Sequence, residues 1–198
     1  MNKRGALQLS VNFLVIIIIC IAVFSMSVYI LNRFFIHAET IKMVYDERTE
    51  KEIERLLDDG SKVAIPFDRK TIYNGEFKTF GIGVLNILNS GSSNTFEINV
   101  HFNQAFNKRS VKICDILDSS SCGSPDQWLQ TTGDTGFIGS GVTIQKTIKN
   151  NEQEKFLLGV GVKGAPAGTY IFDLNVKYLN NTAWLQYDAP HKLYVEVP

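Results

Sequence analysis

Hydrophobic positions change their spacing twice along this 198-residue chain. From Gly5 to Asn32, a run of 28 residues carries no charge and is apolar at most positions. As an α-helix it would rise roughly 42 Å, against about 30 Å of bilayer hydrocarbon. A cleaved secretory signal has a shorter apolar region, about 7–15 residues, ending at small residues. Here Ser25-Met26-Ser27 is followed by more apolar residues. The pattern therefore predicts a retained membrane-spanning helix. Its polar members are Gln8, Ser10, Asn12, Ser25 and Ser27. Gln8 and Asn12, four apart, share a face and either support helix–helix contact or sit at headgroup level.

The next stretch, residues 37–60, switches to helical spacing with an acidic bias. Thr49 followed by Glu52 has the capping-box spacing, and Ile53, Leu56 and Leu57 fall on one face. Gly60 stands where a helix stops. Glu50, Glu52 and Glu54 are expected to face water. This helix is read either as a stem continuing from the first segment or as a short helix packed on the following domain.

After residue 61 the period becomes two. The run "TFEINVHF" sets Phe96, Ile98, Val100 and Phe102 against Glu97, Asn99 and His101. "TYIFDLNVKY", "KFLLGVGV" and the last residues through Val197 alternate in the same way. Each run has one face for a core and one for water. Weaker strands are expected at 62–67, 77–88, 109–114, 141–148 and 183–187. Turns are expected at Asn74-Gly75, Asn89-Ser90-Gly91 and Asn180-Asn181. Many short strands without a long helix between them predict an antiparallel β-sandwich.

Charge alters the picture in one respect. Twenty basic and twenty acidic side chains cancel, so nothing points to nucleic acid as a partner. Lys3 and Arg4 precede the apolar run, and a mostly acidic segment follows Arg33. The positive-inside rule then places the N-terminus in the cytoplasm and the C-terminal domain outside a cell membrane crossed once. Membrane lipid is thereby a partner, beside copies of the chain or other surface proteins. In that oxidising setting Cys114 and Cys122 either close a nine-residue loop, worth about 2.5 kcal/mol, or remain two free thiols. Cys20 fills space within the span. Asn180-Asn181-Thr182 is an N-glycosylation sequon with Asn180 as its acceptor, at an expected hairpin tip. Trp184 and Tyr187 lie just beyond it and serve a contact surface or the core.

Two resemblances bear on function. Lys3-Arg4-Gly5-Ala6 ahead of the apolar run resembles the class III signal of archaeal type IV pilin-like proteins. That resemblance implies cleavage between Gly5 and Ala6, with the helix kept. Ser10 stands where many bacterial pilins have a glutamate, and a plain signal anchor is the competing reading. "FGIGVLNILNSGSSNTFEINVHF" followed by "APAGTYIFDLNVKY" resembles the immunoglobulin-like surface modules of the CARDB or NEW3 kind, over residues 77–197. That resemblance implies a spacer, scaffold or binding surface and no site residues.

Apparent cofactor motifs lack their context. "GVGVKG" at Gly159–Gly164 and "TGFIGSG" at Thr135–Gly141 are each followed by strand-like sequence, whereas a dinucleotide turn must open a helix. His37, His101 and His191 show no metal-ligand spacing. Asp115 and Asp118 amid serines make a poor calcium site. No catalytic constellation and no cofactor is expected. The chain is thus expected to be mainly β. Residues 1–36 form a transmembrane, pilin-like helix, 37–60 an acidic helical connector, and 61–198 an immunoglobulin-like β-sandwich. Its expected role is that of a non-catalytic, membrane-anchored surface protein, either a pilin-like filament subunit or a binding and scaffolding protein that does not polymerise.

Overall fold

The computed structural model describes residues 13–27, 47–131 and 141–198. The chain divides into two compact units, Met1–Lys42 and Met43–Pro198. In the first, residues 13–27 form helix α1. Among the described residues no helix is long and apolar enough to cross a membrane. The expected single-pass placement, with a cytoplasmic N-terminus and an extracytoplasmic domain, is therefore corrected. Cys20 is a free, exposed thiol on this helix instead of a space-filler within a span.

The second unit opens with α2 (Glu47–Asp58). Thr49 does not cap it: Thr49 lies within the helix and is buried. The stop is as expected. Gly60 has φ +97°, its N–H donates to Leu57 O at 3.0 Å, and the Ser61 N–H donates to Leu56 O at 3.2 Å. This pair of bonds satisfies carbonyls that a helix end leaves open.

Eleven strands follow among the described residues. They are β1 (Val63–Ala64), β2 (Arg69–Thr71), β3 (Phe77–Leu85), β4 (Ser93–Phe106), β5 (Lys112–Asp115), β6 (Leu129–Thr131), β7 (Val142–Lys149), β8 (Gln153–Gly161), β9 (Gly168–Asn180), β10 (Ala183–Gln186) and β11 (His191–Val197). One sheet has the order β1-β3-β8-β6 and the other β2-β11-β9-β4-β5, with β10 also on β9 and β7 also on β4. Counting core strands in chain order, the first, second, fifth and fourth share one sheet, and the third, sixth and seventh share the other. That partition is the immunoglobulin-type sandwich. Most pairs are antiparallel, while β2 runs parallel to β11.

Alternation fills the space between the sheets. Phe96, Ile98, Val100 and Phe102 of β4 meet Tyr170, Phe172, Leu174 and Val176 of β9, all fully buried. Rings pack tilted or edge-on through the centre: the Trp128 ring centroid lies 4.9 Å from that of Tyr170, and that of Phe102 5.7 Å from that of Phe172. Asn86, at the end of the β3 run, is buried yet satisfied. Its amide donates to Asn94 and Ile148 O, and its oxygen accepts from the Leu88 N–H.

Helix α2 lies on the outside of the first sheet. On β3, Phe80, Ile82 and Val84 point inward, so Gly81 and Gly83 present bare backbone outward. A Cβ on Gly83 would fall 2.3 Å from Ile53 Cγ2 and 2.9 Å from Leu57 Cδ1. Ile53, Leu57 and Ala64 thus make a second, small core. Glu50 and Glu54 do not simply face water, because both bind Lys155 of β8, at 2.8 and 2.6 Å. Of the two readings of this segment, the packed helix is the one found.

Candidate interaction surface

The expected site residues fall at opposite ends of the sandwich. Cys114, on β5, and Cys122, in the 3-10 turn Ser120–Cys122, are joined as a disulfide with their Cα atoms 6.3 Å apart. Both sulfurs' residues are buried, and the bridge closes the loop Cys114–Cys122 at the end of the sheet where β4 finishes.

That loop is held from several directions. Asp115 accepts the backbone N–H groups of Leu117 and Asp118, and its other oxygen takes the Lys112 ammonium at 2.6 Å. The Lys112 hydrogen bond, then those backbone donors, hold the Asp115 carboxyl below the usual aspartate range. Ser120 donates to Asp118, and the Ile116 N–H donates to Asn103 O. With its oxygens so engaged, Asp115 is a structural residue of the turn. Among the described residues no three His, Cys, Asp or Glu side chains gather as a metal site would need. The restraint displays apolar groups to solvent: Leu117 is 93% exposed, and its neighbour Ile116 is also open. In the sequence, the Ile116-Leu117 pair between the cysteines is the one signal of this display.

The sequon lies at the other end. Asn180 closes β9, is exposed, and pairs with Ala183 across a two-residue turn in which Asn181 has φ +55°. Tyr187, just beyond, belongs to the core. It packs edge-on to Phe96 at 4.9 Å, accepts the Ile87 N–H, and donates to Leu85 O. Trp184 stays half-buried on β10.

Other chemistry-bearing residues are engaged locally. His101 meets the Asn99 side chain and His191 meets Asp188, on different strands. The run Gly159–Gly164 is the end of β8 and a turn into β9, with no helix. Residues 3–6, the Lys3-Arg4-Gly5-Ala6 motif, lie outside the described residues, as do His37 and positions 135–140 of the second glycine run. A depression of about 330 Å³ lies between Thr71, Lys108, Thr169, Glu196 and Val197. Glu196 there is bound to Arg69 at 2.6 Å and accepts the Thr71 hydroxyl at 3.4 Å, so its carboxylate is engaged on both oxygens.

No family model and no curated protein sequence matches this chain. Among solved structures it is similar to a PapD-like domain of human CEP192, at 10% identity and a TM-score of 0.43, covering 69% of this chain and 85% of that one. It is also similar to the CsuC–CsuE chaperone–tip adhesion subunit complex of Acinetobacter baumannii, at 15% identity and a TM-score of 0.38, covering 69% and 52%. The self-complemented fimbrial subunit MyfA of Yersinia enterocolitica shares 10% identity at a TM-score of 0.38, over 70% of this chain and 98% of that one. The chain's own strand order, not these distant likenesses, is what identifies its sandwich as immunoglobulin-like.

Proposed function

We propose that the chain is a non-catalytic structural subunit, an immunoglobulin-like module carried on an apolar helix through which copies join into a surface assembly. The observation that carries this reading is α1. Every residue from 13 to 27 is exposed, and only two are polar. Those two, Ser25 and Ser27, return their hydroxyls to Ile21 O and Val23 O at 2.8 Å, so they leave the helix apolar all round. A helix of that kind must be covered by something. Copies of α1 supply a surface of the same character. The filled core, without a cleft of converging polar groups among the described residues, supports a role in contact over catalysis. The Lys3-Arg4-Gly5-Ala6 motif fits processing before assembly.

The test is N-terminal sequencing of native material together with sedimentation and electron microscopy. A mature start at Ala6 and large, ordered assemblies are expected. An intact start at Met1 in a monomer that stays in solution without detergent would remove the reading. A second reading, a binding protein that does not polymerise, is favoured by the disulfide-fixed Leu117 tip. It predicts a monomer whose partner contact is lost on Leu117→Asp.

A further inference from the structure

We infer that β10 is a self-complementary sheet edge at which two copies of the domain pair strand to strand. Tyr187 donates its N–H to Val176 O at 2.9 Å, and the same register continues as Leu185 opposite Tyr178 and Ala183 opposite Asn180. Hydrogen-bonded pairs alternate along an antiparallel ladder. Odd-numbered residues of β10 therefore turn their backbone groups toward β9. Trp184 and Gln186 turn theirs away, to the side where no further strand lies among the described residues.

Those outward groups match themselves under a two-fold rotation. With Leu185 opposite Leu185 of the second copy, Trp184 faces Gln186 in both directions. Each outward N–H then meets an outward C=O. The Leu185 side chains, 40% exposed in the single chain, become a close cross-strand pair, since non-hydrogen-bonded positions bring side chains nearest.

Charge favours the same edge. Proteins usually guard open edges with charge or proline. The edge strand β2 carries Arg69 and Lys70, and the Lys70 and Lys78 ammoniums reach across to Thr79 O and Thr71 O. β7 carries Lys146 and Lys149, and β5 carries Lys112 and Asp115. From Ala183 to Tyr187 there is neither a charged residue nor a proline. Two copies can meet at β10 without like charges facing each other. The contact is short, so it gains most when copies are already concentrated by another link. The inference stands on the domain alone and does not require assembly through α1.

Disulfide trapping in the full chain tests it, in a Cys20→Ser background. Leu185→Cys is expected to form a covalent dimer under mild oxidation at least tenfold faster than Lys149→Cys, an exposed control on β7. Opposed residues in this register lie within disulfide reach. Adding Gln186→Pro to Leu185→Cys removes an outward N–H and no bond to β9, and it is expected to abolish trapping while circular dichroism stays native. Trapping no faster than the control, or trapping indifferent to Gln186→Pro, would overturn the inference. A chain that fails to assemble through α1 yet still traps at 185 sinks the proposed stem and leaves the β10 contact in place.

Discussion

The hydroxyl of Tyr170 donates to the carbonyl oxygen of Pro166, 2.9 Å away, and ties the start of β9 to the turn that delivers it. A tyrosine in this place, at the corner before the sixth core strand, is a hallmark of immunoglobulin-type sandwiches. Its ring is wholly buried against Trp128. Burial pushes the phenol up to about 12. The fold therefore favours the neutral hydroxyl, and its contribution is complete below the unfolded value near 10 and lost as pH rises toward 12. That shift is worth roughly 2 to 3 kcal/mol. Tyr170→Phe should cost about 1 to 3 kcal/mol at neutral pH by stranding the Pro166 carbonyl. The variant should also lose less stability than the parent between pH 10 and 12. Urea titrations at pH 7, 10 and 11.5 measure both effects.

Gly83→Ala should loosen α2 from the sandwich. The added methyl would meet Ile53 and Leu57, and overpacking of this kind costs about 1 to 3 kcal/mol. The inner face of β3 is untouched, so the main core should survive. Amide exchange is expected to accelerate in α2 far more than in β4 and β9. Equal acceleration in all three would mean that α2 is not a separate layer. Glu54→Gln probes the same contact from the polar side. It leaves Lys155 with Glu50 and should cost less than about 1 kcal/mol, an effect that fades in high salt.

The sandwich was legible because a half-buried strand announces itself by alternation, as in Phe96, Ile98, Val100 and Phe102. Where packing does not alternate, the signal vanished. β2 is largely exposed and is held by register with β11 and by the Arg69–Glu196 ion pair, so Arg-Lys-Thr shows no strand pattern. β6 spans only Leu129–Thr131, too short for a period. The capping-box reading failed because Thr49 is drawn down onto Gly81 by tertiary packing, which overrides a local motif. The dock for α2 was written in "FGIGV", where glycine at successive outward positions leaves room for something to lie on the strand. The expected membrane span rested on the length of the apolar run, and among the described residues no helix is long and apolar enough to cross a membrane. At the candidate surface the cysteines were legible by spacing, whereas the display of Leu117 follows from turn geometry that one sequence does not reveal.

Replacing both Cys114 and Cys122 by serine should cost about 2 to 3 kcal/mol, the closure entropy of a short loop. Two buried hydroxyls in place of the bridge add to that cost. Because the bridge is buried, a reductant should reach it only when the chain opens. In a Cys20→Ser background, because Cys20 is a free, exposed thiol, labelling of the thiols that dithiothreitol releases in native buffer, read after the reductant is removed, is expected to be slow and to accelerate steeply near the urea midpoint. Fast labelling in native buffer would show that the loop opens without global unfolding. The same double variant should increase amide exchange at Leu117 and Asp118, whose N–H groups Asp115 now holds.

Asn180 offers a test that joins modification to the edge beside it. The residue is exposed and closes β9 across a two-residue turn from Ala183, so its side chain is open to a transferase. In a host that glycosylates Asn-X-Thr sequons, the chain should gain one glycan, removed by Thr182→Ala and by a deglycosylating enzyme. Thr182 lies in the turn, outside the ladder, so Thr182→Ala should leave stability within about 0.5 kcal/mol of the parent. A glycan at this position stands at the end of β10. If two copies pair there, the glycan's bulk sits next to the seam, and trapping through Leu185→Cys should slow in the glycosylated chain and recover after enzymatic removal. Unchanged trapping in fully glycosylated material would place the glycan clear of the seam. No mass shift in such a host would mean that the sequon is unused.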